Sequence, residues 1–291
     1  MATTNPAAIT FDHILVPTDF TEISQRALEY AKAIAKLGNS ELLLVHVNSP
    51  VELITPPEAA WVDLSEVQSL QEEQLEQSGA ALRSEGFRAR AISVTGPLHN
   101  ELLSTVNQYK ADLIVLGTHG KKGLERLLFG SDAEAVLMHA HCPVLSVGPA
   151  APNLQDKTWR MREVICATNL EPRSAEVVAY AHRLAALYQA DLVLFHVKSS
   201  SKQDDDVNWV AFEEAFRYYV PEDLGTHSWL RTRLASAPPA TSIVELAVQR
   251  GSGLIVMGTH EKSSIATHFG RGTTAKVLAE APCPVLTILQ L

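Results

Sequence analysis

Apolar residues along this chain follow two alternating patterns. Short, β-branched-rich runs bounded by turn residues occur at Ile14–Thr18, Leu42–Val47, Ala89–Val94, Leu113–Leu116 and Val144–Val147. Runs of this length and composition predict buried parallel strands. Between them, apolar positions recur at helical spacing. Ala27, Tyr30, Ala31, Ile34 and Leu37 share one face of Ser24–Leu37, and Leu64, Val67, Leu75 and Leu82 mark a second segment. Glu101–Tyr109 and Asp132–Ala140 supply two more. Strand–helix alternation of this kind predicts an α/β fold, a parallel sheet with helices on both faces.

The pattern then repeats. Shifted by 150 positions, residues 13–47 lie on 163–197, with identities at Thr18/Thr168, Ser24/Ser174, Tyr30/Tyr180, Leu37/Leu187 and His46-Val47/His196-Val197. Later the offset becomes 141, and "DLIVLGTHG" (112–120) lies on "GLIVMGTHE" (253–261), "VLMHAHCPVLSV" (136–147) on "VLAEAPCPVLTI" (277–288). Strands of the second copy are expected at Val164–Thr168, Leu192–Val197, Leu230–Leu234, Leu254–Met257 and Val285–Ile288. Two domains follow, 1–150 and 151–291. The small residues and prolines of Gly148-Pro149-Ala150-Ala151-Pro152 suit a surface linker between them.

Composition narrows the function classes. The 291 residues carry a net charge of −9, and the first 150 account for 10 basic and 18 acidic residues, net −8. Nucleic acid and anionic membrane need a basic footprint that such a chain lacks. No apolar run approaches a membrane span, and the opening stretch does not read as a signal peptide. Three cysteines, Cys142, Cys166 and Cys283, are too few for a disulfide framework or a four-ligand zinc site. A cytoplasmic, reduced protein is the expectation.

One connection stands out. Between the strand ending at Leu116 and the helix beginning near Ser131 runs a loop from Gly117 through Thr118, His119 and Gly120 to Gly130. It is far longer than the usual βα connection of about 2–6 residues. It leaves the carboxyl end of a parallel strand, where doubly wound sheets bind ligands. Gly117 and Gly120 allow backbone amides to approach a guest, and Gly130-Ser131 sits at a helix N-terminus that favours phosphate. Lys121, Lys122 and Arg126 add positive charge. A phosphate cradle is one reading; turn glycines with an N-capping serine are the other.

The run G-x2-G-x9-G-[ST] after "DLIV-G" and before "CPVL", together with the opening "ILVPTDF…S…AL.YA", resembles the universal stress protein family, and does so twice along the chain. The resemblance implies two tandem Rossmann-like domains, each with a five-stranded parallel sheet in order 3-2-1-4-5. It also implies binding of ATP (or ADP or AMP), usually with Mg, in the branch that keeps the glycine motif. Carried over by position, Pro17, Thr18 and Asp19 would lie beside the sugar and metal, and the backbone of Val47 beside adenine. Gly117, Thr118, His119, Gly120, Gly130 and Ser131 would cradle phosphates. Asp132 departs from the family pattern and would repel a phosphate. In the second copy Ala167 and Asn169 replace Pro17 and Asp19, Gly258 remains, and Glu261 stands for Gly120. A carboxylate a few angstroms from phosphate costs about 4 kcal/mol per charge pair at an effective dielectric near 20. Arg271-Gly272 aligns with Gly130-Ser131; a one-residue slip offers Gly272-Thr273, with Arg271 or Lys262 reaching an anion. The second copy is expected to be structural or regulatory.

The remaining candidates read as structure. His46 and His196 end equivalent strands, where a satisfied histidine is the expectation. His119 and His260 either contact phosphate or pack their loops. His139 and His141 lack further metal ligands, and repetition accounts for Cys142 and Cys283. Asp204-Asp205-Asp206 and the acids between Glu52 and Glu85 suit solvated faces, and Trp209, Phe212, Phe216, Tyr218 and Tyr219 suit packing. No Ser-His-Asp order, paired catalytic carboxylates or Walker lysine is present, so the expectation is a regulatory nucleotide-binding protein. A slow ATPase or related ligase, and a ligand-free assembly module, are the alternatives. Val144–Val147 and Val285–Ile288 are expected as edge strands that need covering. The resemblance implies that they pair within the chain about a pseudo-twofold axis, and a homo-oligomer is a further expected partner state.

Overall fold

The computed structural model describes residues 9–48, 64–118, 131–154, 159, 161–197, 228–230, 238–260 and 272–290. The first half runs β1 (His13–Pro17), α1 (Glu22–Gly38), β2 (Glu41–Asn48), α2 (Leu64–Ser84), β3 (Arg88–Thr95), α3 (Leu98–Tyr109), β4 (Leu113–Gly117), α4 (Ser131–His139) and β5 (Val144–Val147). The second runs β6 (Glu163–Ala167), α5 (Ser174–Leu187), β7 (Asp191–Phe195), β8 (Ser228–Leu230), α6 (Pro239–Arg250), β9 (Leu254–His260), α7 (Thr273–Glu280) and β10 (Val285–Gln290). The part of the expected strand Leu230–Leu234 beyond Leu230 lies outside the described residues, as do Asp204-Asp205-Asp206 and the aromatic group around Trp209.

All these strands form one sheet in the order β3-β2-β1-β4-β5-β10-β9-β6-β7-β8. Each half reads 3-2-1-4-5 and is parallel throughout. The halves meet at an antiparallel seam, Val285 opposite Ser146, Leu286 opposite Leu145 and Thr287 opposite Val144. The Thr287 hydroxyl also donates to the Val144 carbonyl, at 3.2 Å. β5 and β10 are therefore interior strands, and among the described residues the edges of the sheet are β3 and β8.

Alternation along the strands divides the core between the two faces of the sheet. Ile14, Val16, Leu42 and Leu44 pack with Tyr30, Ala31, Ile34 and the α5 residues Val177, Val178 and Ala181. Leu15, Leu43 and Val45 point the other way, against Leu102 of α3, Leu137 of α4, Ile243 of α6 and Leu278 of α7. Both layers run across the seam. Each fully buried Leu or Ile stabilises by about 1.5–3 kcal/mol. α1 starts where the Thr21 side chain accepts from the Ser24 N–H and ends at Asn39 in the left-handed conformation.

Three expectations are corrected by burial. Leu37, read as part of the α1 core face, is 56% exposed, whereas Ala35 is buried. Three residues beyond Ile34 rotates a helical side chain 60° off the stripe, and position 38 on that stripe is glycine. β3, read as a buried strand, has only Ile92 buried because it is an edge. The linker is a surface segment only in part: Pro149, Ala150 and Pro152 are exposed, but the segment is anchored inward. Ala151, Leu154 and Trp159 are buried, the Tyr30 hydroxyl donates to the Pro152 carbonyl at 2.8 Å, and Arg26 Nη1 donates to the carbonyls of Pro149 (2.8 Å) and Ala151 (3.2 Å). Trp159 meets Tyr30 edge-on with ring centroids 5.0 Å apart and Tyr188, the C-cap of α5, at 5.7 Å. The linker thus joins α1 to α5. No described helix is long and apolar enough to cross a membrane.

Two predictions follow from this packing. In urea unfolding, Trp159→Ala loses about 3–5 kcal/mol and Tyr30→Phe about 1 kcal/mol. A double-mutant cycle of Trp159→Ala with Tyr30→Leu, which removes the ring, gives a coupling of about 0.5–1.5 kcal/mol; strict additivity would show that the aromatic contact contributes nothing. The second concerns His182, buried in α5 with no described partner for Nδ1. Burial, and secondarily the Arg183 charge, lower its pKa. The unfolded chain then protonates first, so this contribution is intact above the unfolded value near 6.5. It is lost as pH falls from there through the lower folded value. His182→Leu should flatten the stability-versus-pH curve across that acidic interval, and an unchanged slope would refute the assignment.

Candidate functional site

The order β2-β1-β4 places three strand ends side by side, with neighbouring strands about 4.8 Å apart. Pro17 ends β1, followed by Thr18 and Asp19; Val47 lies at the end of β2; Gly117 ends β4, followed by Thr118; Ser131 opens α4. These six positions and Ser131 converge at the carboxyl edge of the first half. His119, Gly120 and Gly130 lie outside the described residues, and so do the three basic residues of the loop.

The turn leaving β1 is built from its own side chains. The Thr18 N–H closes the ladder on the Val45 carbonyl at 2.8 Å. The Thr18 hydroxyl then accepts from the Phe20 N–H at 3.1 Å, and Asp19 Oδ1 accepts from the Thr21 N–H at 3.1 Å and the Thr21 hydroxyl at 2.5 Å. Such local bonds are why Thr and Asp favour turns over ladder continuation. Phe20 is held at φ 63°, unusual for a bulky residue, and its ring packs on His46 at 4.8 Å. His46 Nδ1 sits 2.8 Å from the Thr18 carbonyl, so it carries the proton and donates.

This last bond shapes the edge of β2. Peptide groups alternate sides along a strand. The Val45 carbonyl faces β1, so those of Val47 face the same side, past the point where β1 has left the sheet. The Thr18 carbonyl, their natural next partner, is taken by the His46 ring. Among the described residues no backbone group pairs with the Val47 N–H or carbonyl on that side, beside the Asp19 turn.

The β4 end is more closed. A Cβ at Gly117 would lie 2.9 Å from the Ile23 carbonyl oxygen, so close packing against α1 by itself requires glycine here. The Thr118 N–H donates to the Val147 carbonyl at 3.1 Å, and Thr118 is buried. The Thr118 amide is thus committed to the ladder at the root of the loop.

The second half repeats the turn with one change. Leu170, at φ 59°, donates its N–H to the Thr168 hydroxyl at 3.0 Å, and His196 Nδ1 meets the Thr168 carbonyl at 2.9 Å. Asn169 Oδ1 accepts from the Glu171 N–H at 3.1 Å and the Ser174 hydroxyl at 2.7 Å. The inner oxygen keeps its role; the outer atom changes from a carboxylate oxygen to an amide nitrogen. β9 also outlasts its counterpart β4, pairing Gly258, Thr259 and His260 with Ile288, Leu289 and Gln290. α7 opens at Thr273 behind Gly272, so the slipped alignment with Gly130-Ser131 is the one the helix start supports. Glu261, Lys262 and Arg271 lie outside the described residues.

The turn partners Phe20, Thr21 and Ser24 and the carboxamide of Gln290 were missed from sequence. The repeated Thr18/Thr168, Ser24/Ser174 and His46/His196 pairs carried the signal for the turn. Burial pushes the thiols of Cys142, Cys166 and Cys283 up to about 12, which keeps them protonated. Among the described residues no group of three His, Cys, Asp or Glu is placed to hold a metal ion.

Comparison with known proteins follows the same division of the chain. The model of the universal stress protein family matches residues 10–148 and 161–288. A universal stress protein of Methanocaldococcus jannaschii is 36% identical over 139 residues, 47% of this chain and 82% of that protein. One from Mycolicibacterium smegmatis is 24% identical over 292 residues, 94% of this chain and 96% of that protein. The solved universal stress protein of Archaeoglobus fulgidus superposes with a TM-score of 0.73 at 21% identity, covering 96% of each chain, which speaks to the fold. A smaller universal stress protein, 21% identical over 45% of this chain with a TM-score of 0.37, was solved in complex with cAMP. With both halves matched and the 3-2-1-4-5 order present twice, this chain belongs to the universal stress protein family as a tandem member.

Proposed function

We propose that the first half binds an adenine nucleotide, ATP with Mg, and that the chain works as a nucleotide-responsive regulator of the stress response. In this reading residues 1–150 form the nucleotide-binding domain and 151–291 a structural or regulatory one. The observation that carries the proposal is the pairing of an open Val47 backbone edge with the Asp19 turn on adjacent strand ends. A base takes one donor and one acceptor, the pair that the Val47 peptide groups supply. Asp19 keeps one carboxylate oxygen for the turn, which leaves the other for a ribose hydroxyl or a magnesium ion. Magnesium is held by one or two carboxylates plus substrate phosphates rather than by a protein cage, so a lone Asp fits that chemistry. Gly120, Gly130 and Ser131 complete the proposed phosphate cradle, with the α4 N-terminus favouring negative charge. The cradle's basic loop residues would offset part of the surrounding acidity.

Bound nucleotide would contact the 117–131 connection and so alter the surface that partners read. The chain is proposed to act in the cytoplasm, with its two halves docked through β5 and β10. Hydrolysis is at most slow, because the Asp19 oxygen nearest the chain is already committed to Thr21.

Asp19→Asn, which copies the second half, separates site chemistry from folding. It retains the inner acceptor, so the melting temperature without ligand should change little. Mg-ATP at 100 times its Kd stabilises the parent chain by about 2.7 kcal/mol. The variant should need roughly tenfold more Mg-ATP for the same shift, equivalent to about 1.4 kcal/mol. Thermal unfolding with and without Mg-ATP checks this. No stabilisation of the parent chain would favour the ligand-free assembly reading, and rapid ADP release abolished in Asp19→Asn would favour the enzyme.

A further inference from the structure

Side chains of α1, rather than a ladder, hold the linker between the halves. It has one turn of its own, in which the Ala151 N–H donates to the Gly148 carbonyl at 3.1 Å. Arg26 takes the next carbonyls, those of Pro149 and Ala151, and the Tyr30 hydroxyl takes that of Pro152. Ala151, Leu154 and Trp159 are buried, while Pro149, Ala150, Pro152 and Asn153 lie exposed. Such a segment can lift from α1 without any strand leaving the sheet, which makes its docking a local-opening equilibrium.

Arg26 ties that equilibrium to the carboxyl edge of the first half. It lies in the second turn of α1, with Nη2 3.1 Å from Glu22 Oε1 and with Nε buried and unpartnered. The first turn of the same helix is fixed by the Asp19 turn. Asp19 Oδ1 holds the Thr21 N–H and hydroxyl, and the Thr21 side chain caps the Ser24 N–H. A helix that loses its cap frays from that end, and here fraying would displace Glu22 and then Arg26.

Beyond Arg26 the linker touches the second half at two places. A Cβ at Gly148 would lie 3.4 Å from the Leu278 carbonyl oxygen of α7 and 3.7 Å from the Thr118 hydroxyl. Trp159 packs on Tyr188, beside the bonds that end α5: the Tyr188 N–H to Leu184, Gln189 to Ala186 and Ala190 to Ala185. The second half does not repeat the device, because Arg26 aligns with Glu176, which has no donor to offer a carbonyl.

We infer that the linker is a strap with a docked and a released state, and that the Asp19 turn sets the balance between them through Arg26. Loosening of the first half's carboxyl edge is thereby felt at the end of α5. The turn and the strap carry this without any ligand, so it stands apart from nucleotide binding.

Hydrogen exchange of the full chain, read by mass spectrometry, tests the strap by a double-mutant cycle of Asp19→Ala with Arg26→Met. Methionine keeps an apolar stem and loses the donors, so Arg26→Met should speed exchange at Ala151 and at Tyr188–Ala190 by roughly tenfold. Asp19→Ala should speed the same amides by roughly fivefold. Asp19→Asn, which keeps the inner oxygen, should leave them as in the parent. The double variant should exchange no faster than Arg26→Met, since both substitutions act on one opening. Amides of Ile114–Leu116 and Val193–Phe195 report whether each variant is folded; if Asp19→Ala speeds those as well, Thr21→Val, which removes the cap alone, takes its place. The inference is overturned if either single substitution leaves Ala151 and Tyr188–Ala190 unchanged, or if the two effects multiply. Mg-ATP added to the parent reports separately at 18–21, so failure of nucleotide binding is distinguished from failure of the strap.

Discussion

Each half of this protein is organised at its carboxyl edge by one side-chain oxygen. Asp19 Oδ1 and Asn169 Oδ1 accept the N–H two residues ahead, hold a bulky residue in the left-handed conformation and thereby turn the chain from the first strand into its helix. The residue so held, Phe20, packs on the His46 ring, which in turn takes the Thr18 carbonyl and leaves the β2 edge open. Removing the oxygen would release all three consequences together. Because Asp and Asn supply the same inner acceptor, the turn tolerates the exchange. Only the outer atom, a charged acceptor in one half and a neutral donor in the other, differs in chemistry. Divergence between the copies has thus changed what each edge presents to a ligand while preserving the scaffold that presents it.

The seam adds a geometric consequence. The strands are parallel within each half and antiparallel across β5 and β10, so the two carboxyl edges face opposite ends of the sheet. Ligands at the two edges would not touch. Communication between them would pass through the shared core layers and through the Tyr30–Trp159–Tyr188 contact that ties α1, the linker and α5 together.

Much of this was legible in the sequence because burial enforces it. Ile14, Leu42, Leu113 and Val164 must leave water, and their spacing and the 150-residue shift predict strands, helices and two copies. Contacts between elements distant in sequence were harder to read. The linker's alanines and prolines resemble those of an exposed connection until Tyr30 and Arg26 are seen to bond their carbonyls. Gly117 matches a ligand-binding glycine by pattern, yet the Ile23 carbonyl already explains it. Ala89–Val94 has the composition of an interior strand, and only its place at the end of the sheet reveals an edge. The Gln290 carboxamide carried no signal, since it lies over Gly258 only because β10 runs two residues beyond its counterpart β5.

The central claim is chemical asymmetry on a symmetric frame: one half suited to a charged nucleotide, the other not. Native mass spectrometry of the full chain in saturating Mg-ATP tests it most directly by counting nucleotides per molecule. A single added nucleotide mass, reduced in Asp19→Asn, is the expected result. Two nucleotides per chain, or one retained undiminished in Asp19→Asn, would contradict it.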